Sequence, residues 1–147
     1  MTAIEVEEGI FKGAALVTAS YLVLFSATMV IQGLSRFGME RKALKAKKHF
    51  DRYTDPRMRP LDRAVGNLLE WLPVFLGLFW LSIALGADTV MLGWAYVIGR
   101  VFYCVLAYSG QGISRTVGAK APILLATVPM YAVLGMLGRE VFTRALA

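Results

Sequence analysis

The chain has 147 residues, 57% of them hydrophobic and 18% charged, with a mean hydropathy of +0.58. Soluble domains run at about 45–50% apolar and about 25% charged. The composition therefore excludes an ordinary soluble monomer, which would expose large apolar patches, and it excludes a disordered chain. One cysteine, Cys104, and one histidine, His49, exclude a disulfide framework, a clustered zinc site and a Cys–His nucleophile pair within one chain. Chemistry is left to Arg, Tyr, Glu and Asn.

Met1 to Gly9 carries Glu5, Glu7 and Glu8 instead of a positive start, and no small-residue cleavage site closes the apolar run that follows, so the first helix is expected to stay in the mature protein. Crossing a hydrocarbon core takes about 20 apolar residues at about 1.5 Å each. The first such stretch runs from Gly13 to Leu34, interrupted only by small hydroxyls, Tyr21 and Gln32. Next comes a basic segment, Arg36 to Arg63, with ten of the sixteen Lys and Arg residues and only four acids, a net +6 that equals the excess of the whole protein. Its aromatics are few, Phe37, Phe50 and Tyr53, and it is flanked by apolar stretches, which argues against a nucleic-acid partner.

The second span covers Ala64 to Leu85, and a tight Gly86-Ala87-Asp88 turn leads to the third, Val90 to Tyr108. A polar connection, Ser109 to Lys120, precedes the fourth, Pro122 to Leu137, which is expected to extend back through Gly118. The reading is one all-α transmembrane domain: a four-helix bundle, up-down-up-down, in contact with the lipid bilayer. Positive charge marks the cytoplasmic side, so the 36–63 loop, and with it the Arg115/Lys120 loop, should face the cytosol and both termini the opposite side. Glycines at 13, 33, 77, 93, 99 and 135 suit close helix approach in lipid.

Two full charges fall inside spans, Glu70 and Arg100. Each costs about 2.5–3.5 kcal/mol at a helix centre on insertion scales, so both should face protein or water. Arg63 and Asn67 precede Glu70 by seven and three residues, and at about 100° per residue the three project from one side of the second helix, with Trp71 and Val74 continuing the stripe. Pro73 follows and removes a backbone donor beside that polar face. On the third helix Tyr103 shares nearly the face of Arg100, and Glu70 with Arg100 is placed to form a buried ion pair. Tyr108 lies five residues after Tyr103, about 140° around the helix, so the two tyrosines do not readily share a pocket.

The string Arg63-Ala64-Val65-Gly66-Asn67-Leu68-Leu69-Glu70-Trp71-Leu72-Pro73, followed by Gly99-Arg100-Val101-Phe102-Tyr103, resembles the MAPEG superfamily, the membrane-associated proteins of eicosanoid and glutathione metabolism. The likeness covers essentially the whole chain, through its length, its four spans and its basic first loop. It implies a homotrimer of four-helix protomers that binds glutathione as co-substrate between adjacent subunits at the cytosolic side. Carried over by motif, Arg63, Asn67 and Glu70 contact the tripeptide, Tyr103 stacks or hydrogen-bonds beside it, and Arg100 supports them. Trp71 and Tyr108 are further candidates. Arg115 takes the place of the arginine that activates the thiol in catalytic members, and Arg41 and Lys42 match a basic pair ending the first helix. Val65 stands where a Gln or His is common. Ala107 stands where a second tyrosine is common, with Tyr108 one residue later.

The resemblance is chemically sensible. Arg forks onto a carboxylate, Glu holds an ammonium, and a guanidinium in a low-dielectric cleft favours a thiolate. The function implied is a glutathione transferase that conjugates the thiolate to a hydrophobic electrophile, with a peroxidase or isomerase using the same thiolate as variants. The alternatives are a non-catalytic relative that binds a lipid or a partner protein, and a small proton-coupled exporter. Exporters of that kind typically carry their glutamate in the first helix, which here has no acid between Gly13 and Leu34.

Overall fold

A computed structural model describes residues 7–109, 113–114, 118–119 and 121–146. Four helices account for almost all of it: α1 (Glu8–Lys45), α2 (Arg59–Ala84), α3 (Val90–Tyr108) and α4 (Ala121–Ala145). Each contains a stretch long and apolar enough to cross a membrane. The chain is an all-α integral membrane protein of the multi-pass type.

Helix α1 has 38 residues, about 57 Å at helical rise, against a hydrocarbon thickness of about 30 Å. It continues past the apolar run because Met39 to Lys45 are strong helix formers (Met, Glu, Arg, Lys, Ala, Leu). It stops where Lys47 takes a positive φ of 53° and the Lys48 N–H donates to the Ala43 carbonyl at 2.9 Å. Helix α2 starts with Pro60 in its first turn, where no backbone donor is needed, and Asp62 near the positive end of the helix dipole. Gly86, with φ of 80°, turns the chain after α2. A 2.6 Å hydrogen bond between the Ser82 and Thr89 hydroxyls closes that corner. Pro73 inside α2 cannot donate, which leaves the Leu69 carbonyl without its helical partner.

The 109–120 connection contains a two-residue antiparallel ladder, Ile113–Ser114 with Gly118–Ala119. Gly118 lies in that ladder and not in the fourth helix, which begins at Ala121 with Pro122 in its first turn and runs on to Ala145. A poor helix former followed by a helix-initiating proline explains the later start.

Side-chain pairings give the topology. Phe11 meets Trp80 and Gln32 meets Asp62, so α1 and α2 are antiparallel. Asn67 meets Arg100 while Ser82 meets Thr89, so α2 and α3 are antiparallel as well. Close approach of Met130 to Gly99, with Arg144 donating to the Gly86 carbonyl at 3.0 Å, sets α4 antiparallel to α3. The order is up-down-up-down, with α2 and α3 as the central pair in contact with both outer helices. An aromatic stack forms the middle of the core: Phe75 lies 4.1 Å from Tyr96 and 5.5 Å from Phe79 between ring centroids. Gly93 is needed there, since a Cβ would fall 2.7 Å from the Phe79 ring and 2.8 Å from Val17. Outward-facing Leu16, Val23, Phe102 and Leu125 are exposed, as a surface bathed in acyl chains requires.

Candidate functional site

The polar stripe of α2 is split by the packing. Asn67 turns inward toward α3 and is 8% exposed, whereas Arg63 and Glu70 lie on the outer face. Seven residues apart, Arg63 and Glu70 differ by only about 20° around the helix, while Asn67 sits about 40–60° off their direction. That offset is enough to bury one and expose two.

Behind the stripe stands Arg100, the largest fully buried side chain among the described residues at 1% exposure. One of its terminal nitrogens donates to the Asn67 side-chain oxygen. The other donates to the Tyr96 hydroxyl at 2.5 Å, and the guanidinium carbon lies 4.8 Å from the Tyr96 ring centroid. Its Nε is buried without a hydrogen-bond partner. The expected Glu70–Arg100 ion pair is not formed: among the described residues neither group has a carboxylate or cation partner, and Glu70 is exposed, about 60° around α2 from the Asn67 side chain that holds Arg100. The helical offset of three residues between Asn67 and Glu70 is the reason. Asn67 is the one whose side chain meets Arg100.

Tyr103, 4% exposed, sits one turn after Arg100, with the Arg63 guanidinium near its hydroxyl. A cation on α2 thereby comes beside α3 at the edge of the outer face. Beside it the Glu70 carboxylate folds back over Gly66, toward the basic loop. Trp71 packs on Tyr131 of α4 at 4.9 Å between centroids, turned away from the Arg63–Glu70 ridge. The Tyr108 hydroxyl donates to the Thr28 carbonyl of α1 at 3.4 Å. Tyr103 and Tyr108 thus address different helices.

Arg41 and Lys42 are exposed on the extension of α1, and Lys42 borders a cavity of about 390 Å³ with Lys48, His49, Asp51, Asp55 and Arg57. Within it Asp55 pairs with Arg57 at 2.5 Å and holds the guanidinium pKa above its usual value, chiefly through the hydrogen bond. Arg115 lies outside the described residues. No cluster of metal-ligating side chains occurs among the described residues.

Sequence reasoning missed Tyr96. It precedes Arg100 by four residues, the spacing that places two side chains on one helix face, and that spacing was the available signal. It also missed Tyr21 of α1, whose hydroxyl donates to the Leu68 carbonyl at 2.8 Å and whose ring stacks 6.1 Å from Tyr96.

The arrangement is a bundle whose second helix presents a cation and an acid outward, braced from behind by a buried guanidinium. The family model described as the MAPEG family matches residues 12–138. The chain belongs to the MAPEG family. That match spans all four helices, so the MAPEG assignment covers the bundle as a whole and brings with it an association with eicosanoid and glutathione metabolism. Neither the curated proteins nor the solved structures compared with this MAPEG chain yield a match.

Proposed function

We propose that the protein is a membrane-bound glutathione transferase that joins the glutathione thiolate to a hydrophobic electrophile drawn from the bilayer, working as a homotrimer with its basic loop on the cytosolic side. The observation that carries this reading is the exposed Arg63–Glu70 ridge on a membrane helix. A charge facing lipid costs up to about 2.5–3.5 kcal/mol at a helix centre, so the outward Glu70, inside the span, calls for a neighbouring protomer or a charged ligand to cover it, with the Arg63 cation at the span's loop end.

Glutathione fits the ridge by size and charge. Two helical turns separate Arg63 from Glu70, about 10 Å along the axis, and an extended tripeptide spans about the same length. Arg63 takes a carboxylate, Glu70 takes the ammonium, and Tyr103 offers its hydroxyl beside Arg63. Asn67 acts mainly through Arg100, since its oxygen is already engaged by that guanidinium. Arg115 supplies the cation that favours the thiolate, and Arg41 and Lys42 add positive potential at the entrance.

A second reading, a binding protein of the same family without catalysis, is favoured by Val65 and Ala107 at places where catalytic members commonly carry polar side chains. One experiment separates the two. Detergent-solubilised protein is mixed with glutathione and a chlorodinitrobenzene-type electrophile while the thiolate absorbance is followed. A thiolate signal with conjugate formation supports the transferase, and binding without either supports the second reading. Glutathione binding that survives both Arg63→Ala and Glu70→Gln overturns the site assignment.

A further inference from the structure

The basic loop does not simply stand above the membrane. Arg52 reaches Asp62 in the first turn of α2, with N–O of 3.1 Å, and the same carboxylate oxygen accepts from Gln32 of α1 at 2.5 Å. Gln32 belongs to the last turn of the apolar run of α1, so the loop folds back to the depth where that run ends. There a cleft of about 330 Å³ opens between α1 and the loop, lined by Arg36, Glu40, His49, Phe50, Asp51, Arg52 and Tyr53.

Its chemistry is paired. Arg36 has no carboxylate partner among the described residues and lies over the Phe37 ring at 5.7 Å. Arg52 shares its acid with Gln32 and leaves a buried Nε without an acceptor. Against these two guanidinium groups stand Glu40 and Asp51, the latter accepting from the Tyr53 N–H and the Thr54 hydroxyl at 3.0 Å each. A bare phosphate would meet two carboxylates, and a bare amine would meet two guanidiniums. A group that carries both signs a few bonds apart satisfies all four. The surroundings point to a lipid source: Tyr53 is 89% exposed and Phe37 59% exposed, aromatic residues beside arginines at the edge of an apolar span, the composition of a membrane–water boundary.

We propose that this cleft holds the headgroup of a zwitterionic phospholipid of the aminoethyl phosphodiester kind, with its phosphate on Arg36 and Arg52 and its ammonium between Glu40, Asp51 and the Phe50 and Tyr53 rings. Arg–phosphate contacts and ammonium–aromatic contacts are both favourable at a boundary of low dielectric. The site is separate from the Arg63–Glu70 ridge and does not depend on glutathione chemistry.

Native mass spectrometry of the detergent-solubilised full chain tests it, with phosphatidylethanolamine, phosphatidylglycerol, phosphatidylcholine and free phosphoethanolamine as probes. Retention of phosphatidylethanolamine roughly tenfold better than phosphatidylglycerol is expected, falling by about the same factor in Arg36→Gln. Glu40→Gln should erase the preference while keeping phosphatidylglycerol binding. Arg36 and Glu40 both sit on the helical extension outside the core, so these variants fold even where Arg52→Gln, which strips Asp62 of a partner, does not. Equal retention of both phospholipids, an undiminished preference in Glu40→Gln, or binding of free phosphoethanolamine as strong as that of the lipid overturns the proposal.

Discussion

Replacing Asn67 by alanine removes the only acceptor other than Tyr96 that the Arg100 guanidinium has among the described residues. Because Nε is already without a partner, the variant leaves a fully buried cation with a single hydrogen bond to a tyrosine. A hydrogen bond to a charged group contributes about 1.5–3 kcal/mol, and an unmatched buried donor costs its full desolvation. Stability should fall by about 2–3 kcal/mol. At about 2–4 °C per kcal/mol for a chain of this size, Tm drops by roughly 4–12 °C. Asn67→Asp is the companion variant: it keeps an acceptor, gives Arg100 a carboxylate, and should hold Tm near that of the wild type. Thermal unfolding in detergent, followed by tryptophan fluorescence, reads both. A Tm for Asn67→Ala within a degree of the wild type would show that the inward face of α2 does not anchor Arg100, and the account of how the ridge is braced would be wrong.

Other outcomes follow from the same geometry. Arg63→Ala or Glu70→Gln should each weaken glutathione binding by about ten- to a hundredfold, the worth of one charge-assisted hydrogen bond, with little change in Tm because both side chains are exposed; isothermal titration measures it. Arg115→Ala should lower kcat for conjugation by at least tenfold with KM for glutathione changed far less, as expected of a group that acts on the thiolate and not on binding. Gly93→Ala forces a methyl into the Phe79 ring and Val17, and should destabilise by about 1–3 kcal/mol, visible as a lower unfolding temperature.

Length and apolar runs carry most of the architecture, because a bilayer leaves few choices to a chain with four such runs. The ends of the helices were less legible. Hydropathy stops at Leu34 but helix propensity does not, so α1 runs on through Glu40, Arg41 and Lys45 into water; Leu137 likewise does not end α4. In the site, the spacing of Arg63, Asn67 and Glu70 gave a common side of the helix, yet a difference of about 40–60° decided which of them is buried. Periodicity fixes relative directions and cannot say which direction meets α3. The ion pair expected between Glu70 and Arg100 failed for that reason. Tyr96 went unnoticed because a tyrosine in an apolar run reads as core, which it also is, through its stack on Phe75.

Pro73 sits one turn below Glu70, at the boundary between the polar upper part of α2 and the part held by the Phe75–Phe79–Tyr96 stack. With the Leu69 carbonyl deprived of its donor, the rod has a joint at that height. Bending of α2 therefore concentrates between the Asn67–Arg100 contact above and the aromatic pile beneath, and the membrane anchor need not repack.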